Sequence, residues 1–241
     1  AQPYASAGDH QGIDMVLDIL RHAERPVVIN VIGNSLDIAV ASKKAPELFA
    51  RHCAGVYLNA GTGAPKKAAD AKLEYNVTLG AAAYEAIFDL PCPVYWMPCF
   101  ETLDAVAPSH VPEYGTYYRF RQGEILPALS RQVQNYFAYM FARKTDGNWL
   151  RALEGAPDET LLAKVAEQDR HMWCSAGFFH AAGYTVTAEG KAVKRENSDS
   201  AGVFSFDPIK ITSNTAGQTQ WVPGATSTQR FVFHVRDTDH Y

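Results

Sequence analysis

No apolar run in this 241-residue chain is long enough to span a membrane, so a membrane-crossing helix is excluded. Lys and Arg nowhere gather into a patch, and the formal net charge is −4. A surface that tracks phosphates needs the opposite sign, so nucleic acid is excluded as a partner. The four cysteines, Cys53, Cys92, Cys99 and Cys174, include no Cys-x-x-Cys pair, which argues against a zinc site. Cys92 and Cys99 flank one extended segment, which would hold them roughly 23 Å apart. All four are therefore read as free, buried thiols. No internal repeat, low-complexity tract or signal-peptide pattern is present, and the compartment is left open. The first residues, Ala1 to Ala5, lack an initiator Met, which is read as processing or incomplete representation.

What the chain does contain is an α/β rhythm. Gly12 to Arg21 places Ile13, Val16, Leu17 and Leu20 on one helical face. Asp14 and Asp18, one turn apart, fall on its solvated face. Arg25 to Ala39 runs from an apolar β-branched segment through Gly33-Asn34 into a helix-like stretch. Val56 to Gly61 is a second apolar run that ends in small residues. Ala81 to Leu90 reads as a helix stopped by Pro91, and Pro93 to Pro98 as a third strand. This alternation predicts an open, mostly parallel sheet with helices on both faces, with Val27 to Ile32, Val56 to Leu58 and Val94 to Met97 as neighbouring central strands. Ligands bind such sheets at the C-terminal ends of the strands. Gly33-Asn34, Asn59-Ala60-Gly61 and Met97 to Glu101 all lie at those ends.

Just beyond the second strand comes Leu73-Glu74-Tyr75-Asn76-Val77. A Glu accepts hydrogen bonds and an Asn both donates and accepts, so the pair can hold a vicinal diol. The plainer alternative is a capped loop before a helix. Asn76-Val77-Thr78 is also a glycosylation sequon, which an Asn76 facing a pocket would leave unused. Asn59 to Gly63 lacks the third glycine of a dinucleotide-binding fingerprint, so that class is disfavoured.

Together these segments resemble a known family. Residues 12–101 look like the middle of an inosine–uridine-preferring nucleoside N-ribohydrolase. The family's Gly-x-x-Thr-Asn-x-Ala turn has its counterpart in Gly33 to Ala39. Its Met-Gly-Gly corresponds to Asn59-Ala60-Gly61, and its Glu-Phe-Asn to Glu74-Tyr75-Asn76. The resemblance implies a Rossmann-like, nucleoside-hydrolase-like fold and a small-molecule ribonucleoside as partner, with homo-oligomerisation allowed. It implies a glycosidase that hydrolyses the N-glycosidic bond in the full-length protein, or a non-catalytic nucleoside- or sugar-binding protein on the same fold. It further implies that Glu74 and Asn76 bind ribose hydroxyls beside Asn59. A calcium ion would take the carbonyl of Ile32 as a backbone ligand, and His171 would serve as the general acid.

The chain departs from the family in two places. The Asp-rich calcium motif expected near the start is absent, so truncation at the N-terminus, and slightly at the C-terminus, is expected. The late Asp of the family's His-Asp-Pro falls on Met172, a soft thioether that suits calcium poorly. Apart from the resemblance, Trp173 to Ala182 reads as a buried helix with His171 near its start. Asp237-Thr238-Asp239 reads as a simple helix cap.

The second half is helical and aromatic. Ile125 to Phe141 has helix spacing and is expected to pack on the sheet. Glu113 to Phe120 is a Tyr-rich loop, either packed or available to stack on a base. Lys191 to Asp199 reads as a surface loop. Phe204 to Ile211, Gln220 to Val222 and Phe231 to Val235 read as strands of a small terminal sheet. The whole of 1–241 is read as a single α/β domain.

Overall fold

A computed structural model describes residues 11–65, 72–103, 111–142, 149–197, 202–224 and 229–241. The segment Ala1 to Ala5 and the end of Lys191 to Asp199 lie outside them. In chain order the first elements are α1 (Gln11–His22), β1 (Val27–Val31), α2 (Leu36–Lys44), α3 (Pro46–His52), β2 (Cys53–Asn59), α4 (Tyr75–Thr78), α5 (Ala81–Ile87) and β3 (Val94–Met97). Next come β4 (Tyr118–Arg121), α6 (Gln122–Ile125), α7 (Arg131–Phe141), α8 (Trp149–Glu154), α9 (Glu159–Ala166) and β5 (Asp169–Met172). The last are α10 (Ser175–Ala181), β6 (Tyr184–Val186), β7 (Ala192–Lys194), β8 (Phe204–Ser213), β9 (Thr219–Pro223) and β10 (Arg230–Val235). Among the described residues no helix is long and apolar enough to cross a membrane.

Two compact units result. One comprises Ala1–Tyr117 with Trp173–Tyr241, the other Tyr118–Met172. The first is built on a six-stranded sheet of order β1-β2-β3-β10-β8-β9. Its first three pairings are parallel and the last two antiparallel. The expected mostly parallel α/β sheet is therefore present. β1 nevertheless lies at its edge rather than in its centre. The three late strands also do not form a sheet of their own. β10 pairs in parallel with β3, and β8 and β9 extend the same sheet, because the apolar residues of β10 can bury only against a strand covered on both faces.

Both faces of that sheet are packed. Ile13, Leu17 and Leu20 of α1, Phe49 of α3 and Ile87 of α5 bury against Val56, Leu58, Val94, Trp96 and Val232. Burying one such side chain contributes roughly 1.5–3 kcal/mol. The other face carries Tyr57, Met97, Phe204 and Phe233 under Ala176 of α10. Tyr57, Tyr95 and Phe231 stand in register on β2, β3 and β10 and stack at 4.5 Å and 4.9 Å between ring centres. Such cross-strand aromatic pairs help fix the register. Gly177 lets α10 approach closely, since a Cβ there would lie 2.4 Å from Met97 Sδ.

The second unit pairs β4 antiparallel with β5. Its helices differ from the sequence expectation. Pro127 sits in a short 3-10 turn, Leu129 is extended, and Ser130 opens α7 by accepting the Val133 N–H. The expected helix from Ile125 is thus broken into α6 and α7. Within this unit α7 lies against α8 and α9. Asn135 of α7 donates to the carbonyls of Leu153 and Gly155 at 3.1 and 2.9 Å. Arg170 lies over the rings of Phe137 and Phe141, 5.7 and 5.6 Å from their centres.

Candidate functional site

The C-terminal ends of β2 and β3 run on side by side. Gly63 N donates to the Phe100 carbonyl and Cys99 N to that of Gly61. The chain turns at Gly61 with φ 86°, a left-handed conformation that glycine adopts without strain. A Cβ there would also meet Tyr84 Oη at 2.5 Å. Trp96 Nε1 donates to the Ala60 carbonyl at 2.7 Å and secures the end of β2.

Onto this edge the loop before α4 is fastened. Glu74 is the N-cap of α4 and only 5% exposed. Its Oε1 accepts the Asn76 N–H at 2.9 Å and its Oε2 the Gly61 N–H at 3.0 Å. The plainer reading of the Glu-x-Asn sequence, a helix cap, is thus realised, and the same carboxylate also pins the strand end. Asn76 donates from Nδ2 to the Asn59 carbonyl at 3.0 Å. Its Oδ1 has no partner among the described residues, and the residue is half-buried.

Asn59, 2% exposed, is fully engaged. Its Nδ2 donates to the Met97 carbonyl at 2.9 Å and to Thr116 Oγ1 at 2.8 Å. Its Oδ1 lies 3.0 Å from Cys174 Sγ and 3.6 Å from Cys99 Sγ. Burial, with Glu74 next, pushes the Cys99 thiol well above its ordinary range. Burial alone pushes that of Cys174 to about 11. All four cysteines are free, but Cys174 is only half-buried, which corrects the expectation for that residue.

Three of the five anticipated site residues, Asn59, Glu74 and Asn76, are therefore joined by hydrogen bonds. The turn after β1 reaches the far end of α4, since Asn34 Nδ2 donates to the Leu79 carbonyl at 3.4 Å. Ile32 follows β1 and is 59% exposed. His171 belongs to the second unit, where it is part of β5 opposite Arg119 rather than near a helix start. The helix that follows begins only at Ser175, after the left-handed Cys174. Calcium takes six to eight oxygen ligands. No group of three or more His, Cys, Asp or Glu that could hold a metal occurs among the described residues. Glu74, each oxygen of which already accepts one main-chain N–H, supplies far fewer than six oxygen positions, so the described residues do not by themselves fit a calcium ion.

Sequence reasoning missed Thr116, Cys99, Trp173 and Cys174. Cys99 lies two residues beyond β3, within the stretch Met97 to Glu101 already placed at a strand end, which was a usable signal. Nothing in the sequence brings Cys174 back to Asn59. The Tyr-rich loop is packed where it belongs to this unit. Tyr114 stacks on His234 at 4.6 Å and meets Trp221 at 5.0 Å, and Tyr117 packs on Phe100 at 5.6 Å.

His180 of α10 links the buried Tyr57 to the exposed Arg195. Tyr57 Oη and His180 Nδ1 are 2.6 Å apart, and Arg195 Nη1 is 2.6 Å from His180 Nε2. A guanidinium only donates, so Nε2 accepts and Nδ1 carries the proton toward Tyr57. Burial, then the Arg195 charge, lowers the His180 pKa to about 3.

No protein-family model matches the chain, and no curated protein is significantly similar to it in sequence. Solved structures are similar in the course of the chain. An inosine–uridine preferring nucleoside hydrolase from Bacillus anthracis is 12% identical, with 95% of this chain and 63% of that one covered and a TM-score of 0.44. A purine-preferring ribonucleoside hydrolase from Gardnerella vaginalis is 15% identical over 95% and 62%, with a TM-score of 0.43. An effector protein is 11% identical over 95% and 61%, with a TM-score of 0.44. The chain thus spans less than two thirds of the length of each.

Proposed function

We propose that this chain carries the sugar-holding part of a ribonucleoside site, and that the full-length protein hydrolyses the N-glycosidic bond. The observation that carries the reading is Asn76. It stands at the C-terminal edge of parallel strands, fixed through its main chain by Glu74 and through Nδ2 by Asn59, with Oδ1 left to accept a hydroxyl proton. Each Glu74 oxygen keeps a second lone pair, so a neighbouring hydroxyl of the same diol has an acceptor too.

The chemistry that suits such a site is departure of a base through an oxocarbenium-like transition state. Positive charge grows on the sugar ring, and hydrogen bonds to the 2-hydroxyl strengthen as it does. Asn76 and Glu74 contribute by holding that hydroxyl.

A second reading is a nucleoside- or sugar-binding protein without turnover. It is favoured by the role of Glu74, whose carboxylate serves the main chain as helix cap and strand-end anchor, a task that needs no turnover. The test is base release from inosine and from uridine by the full-length protein, alongside ligand affinity. Turnover supports hydrolysis, and affinity without turnover supports the second reading. Neither turnover nor affinity would overturn both.

A further inference from the structure

Two of the four thiols meet at one oxygen. Cys174 Sγ and Cys99 Sγ lie 3.0 and 3.6 Å from Asn59 Oδ1, although the two residues are far apart in the chain. The contact is held from both sides. Trp173 Nε1 donates to the Cys99 carbonyl at 3.2 Å, and the Trp173 ring packs edge-on against Phe100 at 5.9 Å. Cys174 is the one non-glycine residue with positive φ among those described, at 70°. A non-glycine residue keeps such a backbone mainly where its surroundings enforce it, and functional sites collect such residues. Of the four thiols Cys174 alone is not fully buried, so it is the one a small reagent can reach first.

We propose that Cys99 and Cys174 form a thiol modification site that a small-molecule disulfide converts to an intramolecular disulfide. The Cys174 thiol loses its proton to solvent, and the thiolate attacks one sulfur of the reagent. The reagent's S–S bond breaks, and its other half leaves as a thiolate that takes up a proton. The Cys99 thiol is deprotonated in turn and attacks the Cys174 sulfur of the mixed disulfide, expelling the second reagent thiol. Two protein thiols are oxidised and one reagent disulfide is reduced to two thiols. The charged group facing Cys99 is Glu74, and it slows the second step by disfavouring the thiolate.

The bond removes both S–H donors from Asn59 Oδ1 and draws the start of α10 toward the end of β3. Cys99 Sγ is also 3.7 Å from Asn76 Nδ2, so the linkage forms beside the proposed sugar site. An accompanying change in nucleoside affinity rests on the functional reading above, but the linkage itself does not. Cys53 and Cys92 are neighbours too, each the largest influence on the other's thiol, and both are buried, so they serve as an internal control.

The folded chain is incubated with excess oxidised glutathione at mildly alkaline pH. Free thiols are then alkylated, and the protein is digested without reduction for mass spectrometry. The intact wild type is expected to lose two hydrogens and to yield a peptide linking Cys99 with Cys174. Cys99→Ser should stop at a glutathione adduct on Cys174, and Cys174→Ser should leave Cys99 free. Four free thiols, a stable adduct on wild-type Cys174, or a Cys53–Cys92 linkage without the other would overturn the proposal. Should either variant fail to fold, peptide mapping of the wild type decides alone. Unchanged nucleoside affinity in the linked protein would count against the functional reading and leave the linkage standing.

Discussion

Asn76 donates its side-chain N–H to the main-chain carbonyl of Asn59 at 3.0 Å, joining the first turn of α4 to the last residue of β2. The bond does two things. It satisfies a carbonyl at the strand's end, and it fixes the rotamer of Asn76 so that Oδ1 keeps one orientation. A preoriented acceptor costs less to engage than a mobile one.

Glu74→Ala is expected to destabilise the chain by about 2–4 kcal/mol. The carboxylate serves two main-chain N–H groups in a buried setting, and its removal leaves both without a partner. Urea unfolding of wild type and variant measures the difference. A change below about 0.5 kcal/mol would mean that the cap is replaced by water.

Gly61→Ala combines a left-handed φ with a clash against the Tyr84 hydroxyl. The expected loss is about 1–3 kcal/mol, read as a lower thermal midpoint. Gly33→Ala is the matching control, since no atom lies within 4 Å of a Cβ there.

His180 predicts part of the acid limb of stability. Its folded pKa, about 3, lies below the ordinary 6.5. Between those values the unfolded chain binds a proton that the folded chain refuses. The stabilisation is therefore complete above pH 6.5 and declines as pH falls toward 3, by up to about 1.4 kcal/mol per pH unit. His180→Leu should flatten the stability profile between pH 4 and 6, measured by urea midpoints across that range. Asp207 acts lower. Burial raises its pKa, but the hydrogen bonds of His234 and Ser205 and the Arg236 charge outweigh that and hold it below 3.8. An identical acid limb in wild type and variant would contradict the assignment.

Much of the first hundred residues was legible because local signals suffice there. Apolar β-branched runs, an amphipathic α1 and proline stops marked β1, β3, α2 and α5 close to their observed places, whereas β2 begins at Cys53, ahead of the expected Val56, and the short α3 and α4 were not anticipated. The later strands were also visible, but their partners were not. Phe231 to Val235 has the composition of a buried strand, and nothing local says that it pairs with Val94 to Trp96. His171 lay beyond reach for a related reason, since β5 is polar and is held by pairing with β4 rather than by its own pattern. At the site, the Glu74-x-Asn76 spacing was legible as a cap or a diol clamp. The convergence of Thr116, Cys99 and Cys174 on Asn59 depends wholly on tertiary packing.

The central claim is that Asn76 Oδ1 receives a ribose hydroxyl. The most direct test is the affinity of the full-length protein for inosine and uridine, wild type against Asn76→Ala, with base release followed in the same samples. A loss of 30- to 1000-fold in affinity or in rate is expected, equivalent to about 2–4 kcal/mol. Circular dichroism should show the fold retained, because Asn76 is half-buried and one neutral hydrogen bond contributes only about 1 kcal/mol. Equal affinity and equal turnover in a folded Asn76→Ala variant would contradict the account.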